Sequence, residues 1–299
     1  MSNSNIQGHK SAPIGEDRDA PLPGGVPFAP LNDGNAIPQL GFGVWQVPDD
    51  EVTKAVAEAI RAGYRHIDTA QGYDNEAGVG RAIREADIDR EQLFITSKIR
   101  TKWMGADTRK GIEESLEALG LDYLDMFLIH WPIPAHNNYV ETWKAFIKAR
   151  DEGLVRTIGV SNFLPEYLGR IIDETGVAPA INQLETHPYY QQRDVRQFHF
   201  QNRIQMESYS PLGGGDVLED PVIAEIARKY GKTPAQVIIR WHLQEGLVAI
   251  PKSTHPERIR DNIDVFGFEL DEEDMGRIQV LDKPDGKSLD DPATNNAIW

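Results

Sequence analysis

The amino-acid sequence predicts an α/β fold: a (β/α)8 TIM barrel with a short N-terminal β-hairpin closing its bottom. Three observations predict it. Eight short strand-like runs occur along the chain, segments of helical spacing separate them, and most of the runs finish on a conspicuous polar residue. Strands that alternate with helices pair in parallel through βαβ crossovers. No second composition block or internal linker divides the 299 residues, and barrels of this kind run to about 250 residues or more as one domain.

Taken in order, residues 1–30 are rich in Pro, Gly, Ser and Asn, with Phe28 the only aromatic. Such a segment buries too little to offset its ordering entropy, so it is expected to be a disordered arm, with a single barrel domain over 31–299. Asp33-Gly34, set between Leu31 and Ile37, signals a hairpin. The strand-like runs lie at 39–45, 65–69, 93–99, 125–131, 157–162, 180–185, 204–210 and 247–253. Between them, Val52, Val56, Ala59 and Ile60 recur at helical steps, as do Ile112, Leu116 and Leu119 before a stop at Gly120. Gly63, Gly153 and Gly246 precede strands, where left-handed helix caps belong.

Composition excludes several classes of function. With 40% hydrophobic and 26% charged residues the chain is an ordinary globule. A net charge of −16 argues against nucleic acid as a partner, since phosphate binding needs excess Lys and Arg on a face. No cysteine is present, so disulfides, thiolate nucleophiles and Cys-bound metals are ruled out. No His-x-His or His-x-x-x-His pair suggests a metal site, and none is expected. No apolar run approaches a membrane span or a secretory leader, so a cytoplasmic protein with no membrane partner is expected.

In a barrel the chemistry sits where strands pass into the following loops. Asp68, Lys98, His130, Asn162, Gln183, Tyr209 and Lys252 all stand at such ends and should converge on one mouth. Tyr73 lies in the loop after Asp68. A phenol of pKa about 10 is a poor acid near neutrality, but a neighbouring ammonium stabilises its anion. Lys98 can supply that charge, Asp68 can hold Lys98 protonated, and His130 can orient a substrate oxygen. The four residues describe a proton donor beside a polarised carbonyl. No side chain provides a hydride, so a cofactor is required. The Gly-x-Gly-x-x-Gly fingerprint is missing, because Gly78-Val79-Gly80 continues to Arg81-Ala82-Ile83. Gly231-Lys232-Thr233 is not a P-loop, because Ile226 stands where the first glycine is needed. The exit of the eighth strand, Pro251 to Arg258, remains. Lys252 and Arg258 place two positive charges there, as the 2′-phosphate of NADPH requires.

These residues resemble the aldo-keto reductase superfamily over 31–282. The shared motifs run in order: Gly63-Tyr64-Arg65-His66-Ile67-Asp68-Thr69-Ala70 with Tyr73-Asp74-Asn75-Glu76, Leu128-Ile129-His130-Trp131-Pro132, Ile158-Gly159-Val160-Ser161-Asn162-Phe163, Asn182-Gln183, and Ile250-Pro251-Lys252-Ser253. Trp131-Pro132-Ile133-Pro134 and Lys232-Thr233-Pro234-Ala235-Gln236 look most like the bacterial 2,5-diketo-D-gluconate reductase branch. The resemblance implies an NADPH/NADP+-dependent reductase of small carbonyls, with Tyr73 as proton donor, tuned by Lys98 and Asp68. It implies that Ser161, Asn162 and Gln183 hold the nicotinamide carboxamide, Tyr209 stacks on the ring, and Ser210, Pro211 and Leu212 follow the pyrophosphate. Lys252, Ser253 and Arg258 would take the 2′-phosphate and Asn262 the adenine; Asp261 departs from the glutamate of many relatives. The short Gly213-Gly214-Gly215 loop implies no long flap over the cofactor. A monomer acting on a small-molecule carbonyl is implied as well.

Trp45, His130 and Trp131 are expected at the substrate mouth, Trp103 in packing, and His136 at the surface. Two alternatives remain at this point. Glu185 and Glu207 form the kind of carboxylate pair a glycosidase uses. A nucleotide-binding sensor barrel with little turnover is the other.

Overall fold

The computed structural model describes residues 21–299, so residues 1–20 of the expected arm lie outside the described residues. Order begins before Leu31, which corrects the expected boundary. Strand β1 (Phe28–Pro30) pairs antiparallel with β2 (Ala36–Pro38), Ala29 facing Ile37, and Val26 is already in the core. The reason is the turn itself: a hairpin around Asp33-Gly34 needs a strand upstream as well as downstream. Asn32 donates to Pro179 O at 2.8 Å and Asn35 to Thr157 Oγ1 at 2.9 Å, which seats the hairpin under the starts of two barrel strands.

All eight expected barrel strands form. They are β3 (Phe42–Gly43), β4 (His66–Asp68), β5 (Phe94–Ile99), β6 (Leu124–Ile129), β7 (Val155–Ser161), β8 (Ile181–Glu185), β9 (Gln205–Tyr209) and β10 (Val248–Ala249). Each pairs in parallel with the next in sequence. The ring closes where Gly41 N donates to Ala249 O (2.9 Å), Ala249 N to Gln39 O (3.1 Å) and Gly43 N to Pro251 O (3.2 Å). Around it run α1 (Asp49–Ala62), α2 (Glu76–Glu85), α3 (Thr108–Leu119), α4 (Tyr139–Asp151), α5 (Pro165–Thr175) and α6 (Arg193–Asn202). Four more follow: α7 (Pro221–Tyr230), α8 (Pro234–Gln244), α9 (Pro256–Ile263) and α10 (Glu272–Gln279).

Alternation along the strands divides the core in two. In β6, Phe127 and Ile129 join the large cluster shared with helix side chains such as Ile112, Trp143 and Phe146. Met126 and Leu128 instead pack with Phe94, Ile181, Val248 and the hairpin residues Ala29, Leu31 and Ile37. The hairpin therefore plugs an apolar barrel bottom and leaves the opposite end for polar residues. Helix α1 ends where Gly63 adopts φ +113° and returns its N–H to Ile60 O at 3.1 Å, turning the chain straight into β4.

Helices α2 and α3 meet at Gly80, where an added Cβ would lie 2.2 Å from Leu119 O. Helix propensity alone makes Gly80→Ala stabilising by about 1 kcal/mol. Overpacking against an immovable backbone reverses the sign, and we expect a net loss of about 1–3 kcal/mol. Urea unfolding should show a lower midpoint at unchanged m-value; a midpoint at or above wild type would contradict the close helix approach.

Candidate active site

The loops bring the four proposed catalytic residues together. Asp68 ends β4, Lys98 lies one residue before the end of β5, His130 follows β6, and Tyr73 closes a 3-10 turn at Gln71–Tyr73. Lys98 is fully buried, and its Nζ donates to Asp68 Oδ1 (2.5 Å), Thr69 O (3.0 Å) and Tyr73 Oη (3.2 Å). The Tyr73 and His130 rings meet edge-on, 5.6 Å between centroids. Asn75 fixes the loop that carries Tyr73. Its Nδ2 donates to Val44 O and Val47 O, both at 2.9 Å, and its Oδ1 accepts from Thr69 Oγ1 at 2.7 Å. The Tyr73 loop is thus tied to the loop bearing Trp45.

Burial works against the Lys98 ammonium, but its acidic neighbours, above all Asp68 through charge and hydrogen bond, more than offset it and raise its pKa. Burial likewise pushes Asp68 up, opposed by Lys98. The sequence predicts that the Lys98 ammonium favours ionisation of Tyr73. The ammonium does pull the phenol down, but burial outweighs it and the net shift is upward. Burial, then the Lys98 charge, holds His130 well below the usual histidine range, so its ring is neutral. His66, Asp68 and Glu207 bring ligand-type atoms within 4.8 Å of one another, but the Lys98 ammonium already holds Asp68 and repels a second cation.

A cavity of about 970 Å³ opens over this group, at the upper end of the range of about 300–1,000 Å³ common for ligand sites. Trp45, Tyr73, His130 and Trp131 line it together with Ser161, Asn162, Gln183 and Tyr209. Ser210, Pro211 and Leu212 carry the lining onward to Lys252 and Arg258. A second lobe shares Leu212, Lys252 and Arg258 with the first and adds Ser253, Asp261 and Asn262. Lys252 and Arg258 have no ion-pair partner among the described residues, whereas most arginines of this acidic chain do. Arg258 stands in the first turn of α9, where unpaired helix N–H groups also favour an anion.

Ser161 and Asn162, two of the three residues expected on the nicotinamide carboxamide, bond to each other and to the strand ends. Ser161 Oγ donates to Gln183 O (2.9 Å), and Asn162 Nδ2 donates to His130 O (3.0 Å) and Ser161 Oγ (3.1 Å). Asn162 Oδ1 accepts from Tyr209 Oη at 2.8 Å. Asn162 and Ser210 hold positive φ of +63° and +45°, the kind of backbone strain that clusters at functional sites.

Trp103 lies off the cavity, packed under the Lys102 and Lys110 ammonium groups, and exposed His136 is likewise outside it. Glu185 and Glu207 do not line the cavity either. Glu185 instead binds the chain at Ser288 and Leu289, through Ser288 N (2.8 Å), Ser288 Oγ (2.5 Å) and Leu289 N (3.1 Å). This pair therefore does not face the mouth. Sequence reasoning missed Trp299, whose ring stands edge-on to His130 at 5.0 Å, and the stretch 288–290 that lines the cavity beside it. The tail has no strand or helix period to place it; an aromatic after a polar run was its one signal.

Fold and site together define a barrel carbonyl reductase. The Aldo/keto reductase family model matches residues 39–283, and the chain belongs to that family. It is 50% identical over 274 residues to an aldo-keto reductase of Mycobacterium sp. (strain KMS), covering 91% of this chain and 99% of that one. It is 51% identical over 263 residues to the methylglyoxal reductase DkgA of Escherichia coli (strain K12), covering 87% and 94%. A variant of Gox0644 crystallised in complex with NADPH superimposes with a TM-score of 0.87 at 47% identity, covering 90% and 98%.

Replacing Lys98 by Met leaves the Asp68 carboxylate buried without its cation, at a cost of about 3–5 kcal/mol when ionised. Burial is the main influence on that carboxyl and raises it above the unfolded value of about 4. A group so raised is least costly below the unfolded value, and the variant loses stability as pH climbs through the folded one. Urea unfolding of the Lys98→Met variant should therefore show its deficit from wild type growing between pH 4 and pH 7. A deficit independent of pH would contradict this account.

Proposed function

We propose that the protein reduces aldehydes and ketones to alcohols with NADPH, using Tyr73 as the proton donor. One observation carries the reading: the Lys98 ammonium bridges Asp68 at 2.5 Å and the Tyr73 hydroxyl at 3.2 Å, against a cavity that His130 lines. NADPH supplies the hydride that no side chain has. The residues present fit it, since two cations without ion partners among the described residues stand at the second lobe and the cavity reaches them from Tyr73.

Tyr73 gives its proton to the carbonyl oxygen, and the fixed ammonium of Lys98 stabilises the phenolate left behind. Asp68 keeps Lys98 protonated and in place. Neutral His130 donates to the same oxygen without adding a second cation beside Lys98. Gln183 accepts from the nicotinamide carboxamide, while Ser161 and Asn162 form the scaffold that holds Tyr209 for stacking. Ser210, Pro211 and Leu212 track the pyrophosphate. Lys252, Ser253 and Arg258 take the 2′-phosphate, and Asn262 takes the adenine.

Trp45, Trp131 and Trp299 frame the mouth around His130, which suits small polar carbonyls such as methylglyoxal, keto-sugar acids and simple aldehydes. The 51% identity to a methylglyoxal reductase supports that class. We read the protein further as a cytoplasmic monomer without nucleic-acid or membrane partners. A net charge of −16 speaks against nucleic acid, and the lack of cysteine fits a reducing compartment. No helix among the described residues is long and apolar enough to cross a membrane.

Oxidation of NADPH by methylglyoxal, followed by absorbance, tests the activity directly. Tyr73→Phe should bind NADPH as wild type does and lose about 10²–10⁴-fold in kcat; retained turnover would remove Tyr73 from the mechanism. Lys252→Ala with Arg258→Ala should weaken NADPH by about 100-fold or more, as loss of two charge-assisted contacts implies, and NADH by far less. Equal losses for both nucleotides would mean that the phosphate lies elsewhere.

A further inference from the structure

Glu207 is a second carboxyl group in the barrel interior, fully buried in β9 and unused by the chemistry above. Its Oε2 accepts from Gln183 Nε2 at 2.8 Å, the same nitrogen that donates to Asp68 Oδ2 at 2.8 Å. An amide nitrogen has two hydrogens, and both are spent on these carboxyl groups. The side-chain oxygen Oε1 of Gln183 is the amide atom left without a partner among the described residues, and Gln183 lines the cavity.

We propose that Glu207 is a positioning residue for the cofactor: with Asp68 it clamps the Gln183 amide nitrogen inward, so that Gln183 Oε1 is presented to the nicotinamide carboxamide. The proposal rests on the NADPH reading. Asp68 alone satisfies only one of the two amide hydrogens. With an apolar side chain at 207, the other is buried without an acceptor and the amide is free to turn.

The surroundings give Glu207 a second effect. Strand β4 presents His66, with Nε2 3.7 Å from Glu207 Oε1, and Asp68; β5 presents Lys98, β8 Gln183, and β10 only the apolar Val248 beside it in register. Burial pushes His66 down to about 3, so it brings no positive charge. Glu207 Oε1 is buried with no hydrogen-bond partner, as suits a neutral acid better than a carboxylate. Burial and the charge of Asp68 push this carboxyl up to about 8, against the pull of Gln183 and Lys98. Above that pH a second negative charge faces Tyr73 and makes the phenol a weaker acid. Ionisation of Glu207 then limits reduction on the alkaline side.

The test measures NADPH dissociation constants by fluorescence titration and kcat between pH 6 and pH 10. Wild type, Glu207→Leu, Glu207→Gln, Gln183→Leu and the double Leu variant are compared. Glu207→Leu should weaken NADPH about tenfold, with the loss in affinity rather than in kcat at saturation, since it removes one hydrogen-bonded restraint. Gln183→Leu should lose a similar amount, and the double variant no more than either alone. Glu207→Gln keeps an acceptor and should restore affinity to within about twofold while carrying the alkaline limb of kcat upward by a unit or more. Wild-type affinity in Glu207→Leu, or additive losses in the double variant, would overturn the proposal. If Glu207→Leu fails to fold by circular dichroism, wild-type NADPH affinity in Gln183→Leu overturns it instead. A wild type that binds no NADPH would reject the functional reading itself, an outcome separate from either of these.

Discussion

A lysine ammonium buried in a barrel is the constraint on which the rest of this structure depends. Taking such an ion out of water costs several kcal/mol unless opposite charge and hydrogen bonds replace the lost solvent. Lys98 has three hydrogens and three acceptors: Asp68, the Thr69 carbonyl and the Tyr73 hydroxyl. The third acceptor is the group proposed as the proton donor. Stability of the ammonium and acidity of the phenol are therefore served by one arrangement.

That arrangement reaches across the barrel. Asp68 on β4 accepts from Gln183 on β8, a residue 115 positions away on a strand that is not its neighbour in the sheet. Such a contact exists only because the sheet is closed, through the hydrogen bonds between the Gln39–Gly43 segment and Ala249–Pro251. Apolar side chains of the hairpin and the strand starts fill the opposite end. The two ends divide the work: packing at the bottom sustains a ring whose top holds charged groups at fixed distances.

Much of this was legible along the chain. Eight runs of strand type, helical spacing between them and glycine stops predict the barrel, because periodicity reports which face of an element is buried. Polar strand ends at Asp68, Lys98, His130 and Gln183 predict where the site lies. The start of order was misplaced, because Phe28 and Ala29 carry no pattern until their partners Pro38 and Ile37 are known. The net direction of the Tyr73 shift is not legible in the sequence, since charge can be counted there whereas desolvation depends on what surrounds the phenol.

The sequence by itself determined the fold class, the family motifs, the group of Asp68, Tyr73, Lys98 and His130, and the pair of cations at the exit of the last strand. Each is a local matter of residue type, spacing and position relative to a strand end. Tertiary structure decided which hydrogens go where. It turned Asn162 toward Tyr209 and Gln183 toward Asp68 and Glu207, brought Trp299 against His130, and set Glu185 to anchor the chain at Ser288. These outcomes follow from contacts between segments far apart in the chain, where burial removes water as the competing partner and each polar atom must find another.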